Sequence, residues 1–151
     1  MNQTVVQFAA SSRNSVPKGT RLNDIYEIEE LLAAGGMGEV YRGRLIETGD
    51  AVAIKMIKPE LADNEAVLAL FRKEASALHH LHHDSIVRYY VFTVDRRINR
   101  PYLAMEFVEG EPLSDILRRR PLSFDETDEL RKRVGAGLQV AHDKGIIHRD
   151  I

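Results

Sequence analysis

Three residue groups in this chain have types and spacings that suit chemistry. The first is the cluster Gly35-Gly36-Met37-Gly38. Clustered glycines let a backbone approach a bulky ligand and turn its N–H groups outward, and phosphate oxygens are the usual guests of such turns. The second is Lys55, which ends the run Val52-Ala53-Ile54-Lys55, together with Glu74 further on. An ammonium here can reach phosphates, and a carboxylate on a buried helix face needs a cationic partner because an unpaired buried charge is very costly. The third is the set His79, His80, His82 and His83. At helical spacing His79 and His83 would share a face, as metal ligands do. The competing reading is a polar exit from the helix into the next strand, and it is the one adopted here.

The elements that must position these groups follow from periodicity. Residues 25–32 read as a strand with imperfect alternation, and the glycines follow. Residues 39–45 and 51–57 read as two strands joined by the turn Glu47-Thr48-Gly49-Asp50. In the second of them Ala53 and Lys55 share one face, and Val52, Ile54 and Met56 take the other. A flat ring packed on Ala53 would leave the ammonium beside its phosphates. A helix is predicted over 64–82, with an apolar stripe at Val67, Leu70, Phe71, Leu78 and Leu81 that includes Glu74. Residues 86–94 and 101–108 read as two more strands around a charged loop. A short helix is expected over 113–119. Ser123-Phe124-Asp125-Glu126 fits a capping box before a longer helix whose apolar face is Leu130, Val134, Leu138 and Ala141, with Lys144-Gly145 as its stop. Arg118-Arg119-Arg120 reads as a solvated helix end.

Composition narrows the classes. The 151 residues suffice for one ordinary domain with a core. A formal net charge of −2 argues against a large basic footprint, so nucleic acid is not an expected partner. Without cysteine there is no disulfide framework and no thiolate metal site. No apolar run reaches the length of a bilayer span, and residues 1–10 carry no secretion signal. Residues 1–20 read as a flexible leader, with Val5, Val6 and Phe8 as its apolar patch. The strand after Gly38 argues against a dinucleotide-binding turn, which needs a helix there. A P-loop would end in Gly-Lys-Ser or Gly-Lys-Thr, and none is present.

Taken in order, the glycine loop, Val52-Ala53-Ile54-Lys55, the helix Glu74, Met105-Glu106-Phe107-Val108 and His148-Arg149-Asp150 resemble the eukaryotic-like Ser/Thr protein kinases of bacteria over about residues 22–151. The resemblance implies an α+β fold: a five-stranded antiparallel sheet with one helix over 21–108, then the start of a larger lobe over 109–151. It implies ATP and Mg²⁺ as ligands, a protein substrate and a cytoplasmic location. By the same resemblance Ala34, Gly35, Gly36, Met37 and Gly38 would cover the ATP phosphates. Leu32 and Val40 would pack on the adenine, with Ala53 above the ring. Lys55 would bind the α- and β-phosphates, held by Glu74. Met105 would guard the back of the pocket, and Glu106 to Val108 would form the hinge. Asp150 would take the substrate hydroxyl proton, His148 would support its loop, and Arg149 would answer to a phosphorylated activation loop.

Two departures from the family pattern carry expectations. The first glycine of the loop is replaced by Ala33, at small cost if its φ is negative and about 1 kcal/mol if positive. The sequence also ends one residue after Asp150, before the family's Asn and Asp ligands of Mg²⁺. A fragment that is inactive alone is therefore expected, from an enzyme that moves the ATP γ-phosphate to Ser or Thr. A non-catalytic nucleotide-binding module is the alternative, and the presence of Lys55, Glu74 and Asp150 argues against it.

Overall fold

The computed structural model of the chain describes residues 15–148. Val5, Val6, Phe8, Arg149 and Asp150 lie outside them. Among the described residues six strands, β1 (Arg21–Leu22), β2 (Tyr26–Ala34), β3 (Gly38–Leu45), β4 (Ala51–Ile57), β5 (Tyr89–Asp95) and β6 (Arg100–Glu106), form one sheet in the order β1-β2-β3-β4-β6-β5. Every pairing is antiparallel. The sequence predicts five strands. The sixth, β1, has two residues, too few to show a period.

Alternation along β4 separates two faces. Val52, Ile54 and Met56 are buried, while Ala53 and Lys55 are half-buried. The buried face joins Leu22, Tyr26, Ile28, Tyr41, Tyr102 and Ala104 in the core. Val16, from the stretch read as leader, packs into that core and donates its N–H to the Tyr41 hydroxyl at 2.8 Å. The sheet curls until its two edges meet. The buried Asp95 carboxylate, at the β5–β6 turn, accepts from the Asn23 N–H at 2.6 Å and from the N–H groups of Arg97 and Ile98 at 2.9 and 3.0 Å. Asn23 belongs to the β1–β2 turn, so one carboxylate ties the first hairpin to the last.

Helix α1 (Glu65–His79) starts at Asn64, whose side chain accepts from the N–H groups of Ala66 and Val67. Its buried residues, Val67, Phe71 and Ala75, recur every fourth position, and the first two close on Ile57. The helix stops three residues earlier than periodicity suggests, because His80 is already its C-cap. His79 and His83 therefore do not share a helical face, and the His79 ring packs edge-on against Tyr89.

Helices α2 (Leu113–Arg119) and α3 (Phe124–Asp143) follow. The Ser123–Glu126 capping box forms with both of its bonds, and Gly145 takes φ 73° just past the end of α3. On α3, Ala141 is buried, Leu130 and Leu138 are half-buried and Val134 is exposed. Small residues let the helix approach the 85–86 loop: a β-carbon on Gly137 would lie 3.3 Å from Ser85 Cβ. Arg118, Arg119 and Arg120 each pair with a carboxylate, of Asp115, Glu111 and Glu126 respectively.

Candidate functional site

Strand register assembles the site on the sheet face opposite the core. Val40 stands opposite Lys55, Ala53 opposite Met105, and Lys55 opposite Leu103. Directly paired residues point to the same side. Val40, Ala53, Lys55 and Met105 thus share one surface, with Ala33 joining them opposite Val40. Ala33 reaches that surface through a bulge. Leu31 pairs with Tyr41 and Ala33 with Val40, leaving Leu32 as the extra residue. Without the bulge, period two would turn Ala33 toward the core with Leu31.

From α1 the Glu74 carboxylate meets Lys55. The ammonium donates to both oxygens, at 2.8 and 2.7 Å. Both side chains remain about one-third exposed, at 32% and 37%. A pair this open to water adds at most about 1 kcal/mol to stability. Its effect is orientation: it fixes the Lys55 head relative to α1.

The glycine turn is a tight hairpin in which the Gly35 N–H donates to the Gly38 carbonyl at 2.8 Å. Its tip is held down by the Lys58 N–H, which donates to the Met37 carbonyl at 3.2 Å. Ala33 does not have a positive φ, so replacing the first glycine costs little. Gly35, Gly36 and Gly38 do not have positive φ either. Gly38 is needed for another reason: a β-carbon there would lie 2.6 Å from the Met56 carbonyl oxygen. A β-carbon on Gly36 would meet nothing within 4 Å and one on Gly35 only ordinary contact, so the outer side of the turn is open to a bulky group. Ala34 and Met37 are exposed there.

At the other end of the face, the Glu106 N–H donates to the Arg88 carbonyl at 2.8 Å, and its carboxylate accepts from the Arg88 N–H at 3.1 Å. The Arg42 guanidinium lies over the Phe107 ring, 5.0 Å from its centroid. Val108 is exposed in the link to α2.

Beneath the turn lies a group that sequence reasoning missed. Glu39 is buried, and it accepts from the Arg100 guanidinium and from the Tyr41 hydroxyl, each at 2.8 Å. Arg100 Nε donates to the Ile57 carbonyl at 2.8 Å. Burial, with the Glu39 carboxylate beside it, pushes the Tyr41 phenol up to about 12. Alternation held the signal, since Glu39 falls on the same face of its strand as Tyr41.

His148 lines an apolar cleft of about 560 Å³ between α1 and α3, with Glu74, Leu78, Leu81 and Leu138. Among the described residues no group of three or more His, Asp or Glu side chains could hold a metal ion. No helix among them is long and apolar enough to cross a membrane.

A curled antiparallel sheet carrying one helix, followed by two helices beyond a short link, is the smaller lobe of a protein kinase-like fold with the start of the larger one. Known proteins agree. The protein kinase domain family matches residues 26–151. A probable serine/threonine-protein kinase of Clostridium perfringens is 34% identical over 134 residues, covering 88% of this chain and 19% of that one. The serine/threonine-protein kinase pkn2 of Myxococcus xanthus is 36% identical over 135 residues, covering 89% and 16%. The serine/threonine-protein kinase PknA of Mycobacterium tuberculosis is 33% identical over 137 residues, covering 88% and 32%. The crystal structure of the Mycobacterium tuberculosis PknI kinase domain shares the fold, with a TM-score of 0.71 at 24% identity over 91% of this chain and 55% of that one. This chain belongs to the protein kinase family, in its eukaryotic-like bacterial Ser/Thr branch. It spans 16% to 32% of the length of these three relatives.

Proposed function

We propose that the face bearing Lys55 binds ATP and that the whole protein transfers its γ-phosphate to Ser or Thr of protein substrates. The observation that carries this is the two-pronged Lys55–Glu74 pair on the surface shared by Val40, Ala53 and Met105. The open outer side of the glycine turn fits a phosphate chain, and the preset ammonium fits its charge. In this assignment residues 21–108 are the nucleotide lobe with its hinge, and residues 109–151 begin the second lobe.

Each residue then has a task. Ala34 to Gly38 offer backbone N–H groups to the phosphates. Leu32, Val40, Ala53 and Met105 present apolar surface to the adenine, and the main chain of Glu106 to Val108 offers it hydrogen bonds. Lys55 holds the α- and β-phosphates, so that the γ-phosphorus stands in line for attack. Mg²⁺, when bound with ATP, would neutralise charge on the phosphate oxygens. The Asp150 carboxylate takes the proton of the substrate hydroxyl as its oxygen bonds to the γ-phosphorus and the bond to ADP breaks.

Titration of the chain with Mg-ATP tests the site. Saturable binding is expected, lost in Lys55→Met. Equal binding by that variant would overturn the assignment. Transfer itself is tested by autophosphorylation of the full-length protein and of its Asp150→Asn variant.

A further inference from the structure

Phe71 has no task in the nucleotide site as assigned, yet it lies beside two of that site's parts. It is buried on α1 one turn before Glu74, among Ile57 and Val67. The Lys55 ammonium stands over its ring, 5.1 Å from the centroid. Its Cζ lies 3.6 Å from the place a β-carbon of Gly38 would occupy. Leucine is apolar and flexible enough to fill much of this space, so burial alone does not call for an aromatic ring. What a ring adds is an electron-rich face for a cation.

Helix α1 therefore holds Lys55 in two ways, by the Glu74 carboxylate at its head and by the Phe71 face beside it. An ammonium held by one carboxylate can pivot about that contact, and the ring restricts the pivot. The tip of the same ring lies beside the last glycine of the turn. A shift of α1 along its axis would move the cation and the cover over the phosphates together.

We propose that Phe71 is a positioning residue for the nucleotide, its π face aiming the Lys55 ammonium while its edge sets Gly38. This role rests on the ATP site proposed above.

Ring-fluorinated phenylalanines at position 71 test it, because they keep the shape and drain the π face stepwise. In the whole chain, Mg-ATP affinity should fall with each added fluorine, by about threefold to fivefold over the series, with little change in unfolding midpoint. A flat affinity across the series, with loss only in Phe71→Leu, would reduce Phe71 to a packing residue and overturn the proposal. A nucleotide-free arm separates the two assignments. In a double-mutant cycle of Phe71→Leu and Lys55→Met, a coupling of about twofold to fivefold in the folding equilibrium is expected. Additive effects would overturn the contact. A coupled cycle in a chain that binds no Mg-ATP would overturn the nucleotide role while leaving the contact standing.

Discussion

Glu39 and Arg100, sixty-one positions apart, form an ion pair of 2.8 Å beneath the glycine turn. Their side chains are only 2% and 5% exposed. Glu39 follows Gly38 in β3, and Arg100 also holds the carbonyl of Ile57, the residue opposite Gly38. The pair thus braces both strands at the root of the turn. Arg100→Met leaves a buried carboxylate without its cation and should cost about 3–5 kcal/mol in urea unfolding. The double variant Glu39→Met/Arg100→Met should regain most of that loss. A single variant as stable as the parent would contradict the bracing role.

Gly38 and Gly36 should respond oppositely to a methyl group. Gly38→Ala forces a β-carbon toward the Met56 carbonyl, against a 2.6 Å approach. It should destabilise by about 1–3 kcal/mol, as overpacking does, and weaken Mg-ATP binding. Gly36→Ala meets nothing within 4 Å. Its unfolding midpoint should stay near the parent's, so equal midpoints for the two variants would refute the close approach.

The Lys55–Glu74 pair should matter far more for ligand than for fold. At one-third exposure its loss in Glu74→Gln should change stability by no more than about 1 kcal/mol. Affinity for Mg-ATP should fall roughly tenfold, the scale of a hydrogen bond to a charged group. Calorimetric titration and thermal unfolding of one preparation give both numbers.

Acid should loosen the start of α3. The Arg120 guanidinium, then the Ser123 N–H, hold the Glu126 carboxyl down to about 2. A depressed carboxyl stabilises the folded state above its unfolded value, and the benefit is lost as pH falls through the folded value. Helicity of α3 should therefore decline between about pH 4.5 and pH 2. Glu126→Gln should flatten that decline, as read by amide exchange at the first turn of the helix.

Much of the fold was legible because local rules governed it. β4 matches its predicted span because burial alternates from Ala51 to Met56, and only Ile57, covered by α1, breaks the pattern. The capping box located the start of α3 to the residue, and Lys144-Gly145 located its end. Periodicity overran α1 at its C-terminus, since Leu78 and Leu81 continue an apolar stripe past the cap at His80. β1 was invisible because two residues form a strand only when β2 is there to pair with them.

The sequence by itself determined the types and order of the residues assigned to the proposed nucleotide site: the glycines, Lys55, and Glu74 as the partner of Lys55. Side-chain chemistry and period are local, so they survive without a fold. Tertiary structure alone decided the pairings. The bulge at Leu32 turns Ala33 onto the face that carries Lys55, and Asp95 draws the sheet's edges together through Asn23. Arg100 neutralises Glu39, and Phe71 meets both Lys55 and Gly38. The bulge apart, each of these joins residues on different elements of the fold. Such contacts form only once burial has driven sheet and helix together and left each buried polar group to find its partner.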